Sequence, residues 1–107
     1  MAARSYLQNT WIEVSESAYA HNVNFFRNLS GPKPELSVVV KANAYGHGWE
    51  PISRLAVKHG ADSFCVHSLD EALKLREANI TQNILVMGPI PPSRLIDAID
   101  ANLRIVV

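Results

Sequence analysis

Residues 36–48 read LSVVVKANAYGHG and carry the strongest structural signal in the chain. The three consecutive valines form an apolar run without alternation, which is typical of a strand buried on both faces in a parallel sheet. Lys41 ends this run, and the glycines at positions 46 and 48 predict a loop over residues 42–48. The stretch therefore indicates a buried parallel strand with a lysine at its carboxyl end.

The strand and helix pattern repeats after this stretch. Predicted strands end near residues 41, 66, 87 and 107, so the period is a little over twenty residues. Strand, helix, strand at this spacing predicts right-handed crossovers and a parallel sheet. A closed barrel of such units needs eight strands and about 250 residues. We therefore predict an α/β fold, the first four or so units of an incomplete (β/α)8 TIM barrel, and expect the chain to be the first part of a longer protein.

Local patterns add further elements. Residues 10–14 mix β-branched and aromatic types, which predicts a short strand. Ser68 and Glu71 have the spacing of a capping box, which predicts the start of a helix. The last predicted helix opens near Pro92, and its apolar residues are expected to point inward: Leu95, Ile96 and Ile99.

The composition indicates a globular protein. The chain has 107 residues, 48% of them hydrophobic, with ten basic and ten acidic residues and no net charge. This balance gives no electrostatic footprint for nucleic acid or an anionic membrane, and no apolar run approaches the roughly 20 residues of a spanning helix. The four histidines lack metal-binding spacing, so no metal site is predicted. The single cysteine, Cys65, fits a reducing compartment, and we expect a cytoplasmic protein.

Lys41 is the candidate catalytic residue, because catalytic groups collect at the carboxyl ends of barrel strands. If Val39 and Lys41 face the barrel interior, desolvation lowers the pKa of the amine and makes it a nucleophile suited to an aldehyde. Tyr45, four residues on, is placed to offer a hydroxyl to a phosphate. Taken alone, a lysine ending a strand is usually a solvated charge and Tyr45 a packed turn aromatic, so both alternatives stand.

The literal string VVKANAYGHG, residues 39–48, resembles the cofactor-anchoring motif of alanine racemases. These are pyridoxal phosphate enzymes with an N-terminal (β/α)8 barrel and a C-terminal β domain. Residues 10–14 are similar to the family's N-terminal strand, residues 70–77 to its second barrel helix and residues 84–88 to its third strand. The resemblance therefore covers nearly the whole chain.

This resemblance implies roles for individual residues. Lys41 would hold pyridoxal 5'-phosphate and act as the base on one face of the α-carbon of alanine, Tyr45 would hydrogen-bond the cofactor phosphate, and Met87 would line the cofactor pocket. The implied activity is interconversion of L- and D-alanine for peptidoglycan by a homodimer, whose second base is a tyrosine of the partner's β domain. Because the family's other cofactor contacts lie on later strands, we expect the 107-residue chain alone to be inactive.

The resemblance also implies two parts, an N-terminal strand segment over residues 1–14 that packs with the C-terminal β domain, and a truncated barrel domain over residues 15–107. Two alternatives to alanine racemase stay open. One is a related racemase that acts on serine or on a broad range of amino acids. The other is a non-catalytic pyridoxal phosphate-binding homeostasis protein, a family that also has lysine on an early strand but lacks the continuation Ala-Tyr-Gly-His-Gly.

Overall fold

A parallel sheet organises the computed structural model, which describes residues 9–107. Its strands are β1 (Ser37–Val39), β2 (Ser63–Val66), β3 (Asn83–Val86) and β4 (Arg104–Ile105). They pair side by side in chain order and run parallel throughout. The register aligns Val39 with Cys65, and Cys65 with Leu85. The predicted α/β class with a parallel sheet is confirmed.

Helices alternate with these strands. They are α1 (Glu16–Ser30), α2 (Trp49–Lys58), α3 (Leu69–Glu77) and α4 (Leu95–Asp100), with a 3-10 turn (Pro92–Arg94) leading into the last. The predicted capping box at the start of α3 is present, because the Ser68 hydroxyl accepts the Glu71 N–H and the Glu71 carboxylate accepts the Ser68 N–H. None of the helices within residues 9–107 is long and apolar enough to cross a membrane.

The core lies between the helices and one face of the sheet. Side chains alternate along a strand, so every second residue points to this face. The core residues with no more than 1% exposure include Val40, Phe64, Val66, Ile84, Val86, Ala56, Ala72 and Leu75. On the other face Val39 is 37% exposed. The expectation that this strand is buried on both faces is therefore wrong for the described residues, because none of their elements covers the second face.

Two further sequence predictions are wrong. Residues 10–14 form no strand and are exposed, because no described strand runs beside them to pair with their backbone groups. Helix α4 forms, but the three residues predicted to point inward are exposed: Leu95 at 38%, Ile96 at 62% and Ile99 at 69%. The buried residue of this helix is the small Ala98, at 2% exposure.

Arg76, a residue of α3, forms hydrogen bonds to the segments that precede β3 and β4. Its guanidinium donates to four carbonyl oxygens, at 2.7 Å for Ile80 and Gln82, 2.9 Å for Ala101 and 3.2 Å for Asn102. Burial lowers the pKa of this guanidinium from its usual value. These contacts lie at the opposite end of the strands from Lys41, so we assign Arg76 to the framework.

Candidate active site

The carboxyl ends of β1, β2 and β3 meet at one edge of the sheet because the strands are parallel and in register. Lys41 follows β1 by two residues, and Met87 follows β3 directly. The Met87 N–H donates to the Val66 carbonyl at 2.8 Å, which holds this residue against the end of β2. Lys41 and Met87, predicted as site residues from the sequence, thus lie at the same edge.

The segment after β1 is a turn of left-handed helical geometry rather than an irregular loop. Residues Ala42 to Tyr45 all have positive φ, between 52° and 57°, and Gly46 follows at 90°. This conformation costs roughly 1–2 kcal/mol for each residue that carries a Cβ. Such strain persists only where the surrounding contacts over-determine the backbone, and it is concentrated at functional sites.

Polar groups of the motif hold this turn in place. The Asn43 side-chain oxygen accepts the N–H of Trp49 at 2.9 Å, so it takes up an amide in the first turn of α2. The Asn43 carbonyl accepts the Gly48 N–H, also at 2.9 Å. His47 Nδ1 lies 3.0 Å from the Ala44 carbonyl oxygen. Asn43 and His47 therefore serve the backbone of the turn.

Lys41 and Tyr45 stand at the two ends of the turn and face each other. The Lys41 Nζ atom lies 6.0 Å from the centroid of the Tyr45 ring, the outer range of a cation–π contact. Lys41 is half-buried, whereas Tyr45 is 61% exposed. The dry interior expected around Lys41 is not supplied by residues 9–107, since Val39 beside it is also open to solvent. The structure does bring the Lys41 amine and the Tyr45 ring together at one turn.

Glu71 connects this turn to the next strand–helix junction. Its Oε1 atom accepts the N–H groups of His67 at 2.8 Å and Ser68 at 3.0 Å, and its Oε2 atom accepts the N–H of Ala42 at 2.7 Å. The Ala42 amide is the one that directly follows Lys41. One carboxylate therefore joins the start of α3 to the start of the left-handed turn.

The Glu71 carboxyl has a lowered pKa. Burial is the largest single influence and raises it, but the hydrogen bonds from Ser68, Ala42 and His67 together outweigh that influence. Hydrogen bonds from backbone amides stabilise the ionised form of a carboxyl group. Glu71 is thus held as a carboxylate, which accepts hydrogen bonds at both oxygens and donates none.

The bond from Glu71 to Ala42 could not be read from the sequence. The capping-box spacing accounts for one oxygen, whereas the partner of the other oxygen is 29 residues earlier in the chain. The contact arises because successive strands of a parallel sheet bring the turn after one strand next to the start of the helix after the next. The one sequence signal for this contact was the acidic residue Glu71 in the first turn of α3.

The end of β3 packs closely on the end of β2. A Cβ placed on Gly88 would lie 2.5 Å from the His67 carbonyl oxygen and 2.9 Å from His67 Nε2. The position therefore requires glycine, and the His67 ring lies directly over it. No group of three or more His, Cys, Asp or Glu side chains in residues 9–107 is arranged to hold a metal ion.

Comparison with known proteins identifies the family. The protein-family model described as "Alanine racemase, N-terminal domain" matches residues 14–107 of the sequence. The chain belongs to the alanine racemase family. It is 45% identical over 92 residues to the alanine racemase of Synechocystis sp., an alignment that covers 86% of this chain and 25% of that protein. This family membership confirms the resemblance inferred from residues 39–48.

Solved structures of the family show the same fold. The alanine racemase of Bacillus anthracis, solved with bound L-Ala-P, has a TM-score of 0.90 and 38% identity, covering 97% of this chain and 27% of that one. A histidine racemase from Leuconostoc mesenteroides has a TM-score of 0.75 and 32% identity, covering 82% and 23%. Our chain thus spans about a quarter of the length of these relatives, and its sheet corresponds to part of their N-terminal barrel.

Proposed function

We propose that this chain contributes the cofactor-anchoring part of a pyridoxal 5'-phosphate-dependent alanine racemase, which interconverts L- and D-alanine for peptidoglycan precursors. The observation that carries the proposal is the position of Lys41, at the carboxyl end of β1 and facing Tyr45 across a left-handed turn. Membership of the alanine racemase family supports this assignment.

The residues at this edge of the sheet fit the proposed cofactor. Pyridoxal phosphate presents an aldehyde, an aromatic ring and a phosphate. A lysine amine is the group that holds the aldehyde, a tyrosine hydroxyl can donate to the phosphate, and a methionine side chain packs on an aromatic ring. Lys41, Tyr45 and Met87 supply these three groups, and the last two are 61% and 36% exposed. Tyr45 and Met87 are thus accessible to the cofactor from solvent.

The proposed reaction divides its work between the cofactor and the chain. When bound, the cofactor withdraws electrons from the α-carbon of the amino acid and thereby acidifies its proton. Lys41 Nζ then takes or returns that proton on one face of the α-carbon. Racemisation needs a second base on the opposite face. We assign that base to a tyrosine of a partner subunit, so the proposed active form is a homodimer.

The remaining parts of the proposal concern the organisation of the protein. Residues 15–107 belong to the barrel, and residues 1–14 form a segment that packs with a C-terminal β domain. The structure describes all of residues 15–107, but only residues 9–14 of the N-terminal segment. Cys65 is a free thiol, which supports a reducing, cytoplasmic location.

A related racemase with another substrate is the second candidate. The similarity to a histidine racemase favours this second candidate, because it indicates that racemases of similar structure differ in the amino acid that they accept. Serine or a broad range of amino acids are the substrates that we consider alongside alanine. A non-catalytic pyridoxal phosphate-binding protein has less support, because the family model matches nearly the whole chain as a racemase domain.

Covalent labelling tests the role of Lys41. We expect that incubation of the chain with pyridoxal phosphate, followed by borohydride reduction and peptide mapping, places the modification on Lys41. The variant Lys41→Ala should lose this labelling, since it removes the amine at the end of β1. The matched control is Lys33→Ala, which removes an exposed lysine in the loop before the same strand and should leave the labelling unchanged. Modification concentrated at another lysine would contradict the assignment.

A further inference from the structure

We propose that Glu71 is a positioning residue that fixes the backbone beside Lys41 and so directs the Lys41 amine. This inference rests on the proposed function of Lys41. Its ground is the 2.7 Å hydrogen bond from the Ala42 N–H to Glu71 Oε2, which reaches the residue next to the proposed cofactor anchor. The bond connects the turn after β1 to the start of α3, the helix that follows the neighbouring strand β2.

The carboxylate is held firmly enough to act in this way. Its Oε1 atom accepts the amides of His67 and Ser68 at the junction between β2 and α3. A capping box requires that oxygen alone. The second oxygen is therefore available, and the structure uses it to hold the turn after β1.

The Ala42 amide needs a partner from outside the turn. Other amides of the segment bond to backbone carbonyls close by in the chain, among them those of Ala44, Gly46, His47 and Gly48. The Ala42 amide instead bonds to Glu71. Because the peptide group is planar, fixing the Ala42 N–H also fixes the carbonyl of Lys41 and the direction in which the chain leaves the strand. The direction of the Lys41 side chain depends on this backbone orientation.

The variant Glu71→Gln separates positioning from capping. Glutamine is accepted in a capping box, so its oxygen can still bond the Ser68 amide. Its amino group then faces the Ala42 N–H, which places a donor against a donor. The matched control is Ser68→Ala, which removes the other half of the capping box and leaves the Ala42 bond in place. The two variants thus weaken the same helix terminus, but only the first weakens the turn.

The experiment measures two quantities in the 107-residue chain, hydrogen exchange at the Ala42 amide and the rate at which pyridoxal phosphate with borohydride modifies Lys41. In the unsubstituted chain the Ala42 amide should exchange slowly although the residue is exposed. Glu71→Gln should accelerate that exchange and slow Lys41 modification about tenfold, because a displaced amine meets the aldehyde less often in the reactive geometry. Ser68→Ala should leave both quantities near those of the unsubstituted chain.

Three results would overturn the proposal. One is an Ala42 amide in the unsubstituted chain that exchanges as fast as an unprotected one, a measurement that needs no variant. Another is an unchanged rate of Lys41 modification in Glu71→Gln. The third is an equal loss in Ser68→Ala, which would assign the effect to helix stability. Absence of Lys41 modification in the unsubstituted chain would instead contradict the proposed function, and the exchange data would still show whether Glu71 holds the turn.

Discussion

Tyr45 illustrates how a single side chain can serve a site without taking part in the core. Its backbone is in the left-handed region at φ 55°, which is unfavourable for a bulky residue, and its ring is 61% exposed. Neither feature contributes to packing. The arrangement does place the ring near Lys41, whose Nζ atom lies 6.0 Å from the ring centroid. A residue held at a conformational cost and left exposed is the kind that a ligand contact explains.

The variant Tyr45→Phe should weaken binding of pyridoxal phosphate about tenfold, because it removes one hydrogen bond to a charged group. Binding of pyridoxal, which lacks the phosphate, should be unaffected. The control is Tyr19→Phe, whose hydroxyl is buried and has no hydrogen-bond partner among residues 9–107. Titration of each ligand, followed by absorbance, measures both affinities. An equal loss for the two ligands would argue against a phosphate contact.

At the scale of elements, the sequence predicted those features that depend on residues close together in the chain. The strand at 63–66 and the capping box at Ser68 follow from residue types and spacing, and both are confirmed. The left-handed turn at 42–45 was predicted only as a loop, because a run of positive φ in residues with a Cβ depends on contacts with Glu71 and α2. The prediction of an inward face on α4 was wrong, because no described element packs against Ile96 and Ile99.

The junction of α3 with β3 and β4 depends on Arg76. The variant Arg76→Met keeps the apolar stem and removes four charge-assisted bonds to carbonyl oxygens. We expect a loss of about 2–4 kcal/mol in the free energy of unfolding, because four carbonyl oxygens, three of them in part-buried contacts, lose a charged partner. The control Arg54→Met removes an exposed ion pair with Glu50 and should cost less than about 0.5 kcal/mol. Urea denaturation compares them, and similar midpoints would contradict the framework role.

At the scale of the whole molecule, the elements within residues 9–107 cover one face of the sheet and leave the other open. The helices bury Phe64, Ile84 and Val86 completely, whereas the opposite face and the outer sides of α1 and α4 leave apolar residues open, Phe25 and Ile96 among them. The formal net charge is zero, so electrostatic repulsion between copies is weak. The described part of the site is incomplete in the same way, because Lys41 is its one proposed base and Tyr45 is assigned to the cofactor phosphate.

A site with one proposed base predicts that the chain binds the cofactor but does not racemise alanine. Removal of the α-proton by Lys41 on one face must be followed by its return on the other face. Tyr45 is assigned to the cofactor phosphate, so residues 9–107 offer one proposed base, Lys41. We therefore expect the chain loaded with pyridoxal phosphate to form D-alanine no faster than free pyridoxal phosphate does, measured by chiral chromatography. The loaded Lys41→Ala variant provides the control. D-alanine formed well above the rate of the free cofactor, and lost in that variant, would mean that the residues present here reach both faces of the substrate.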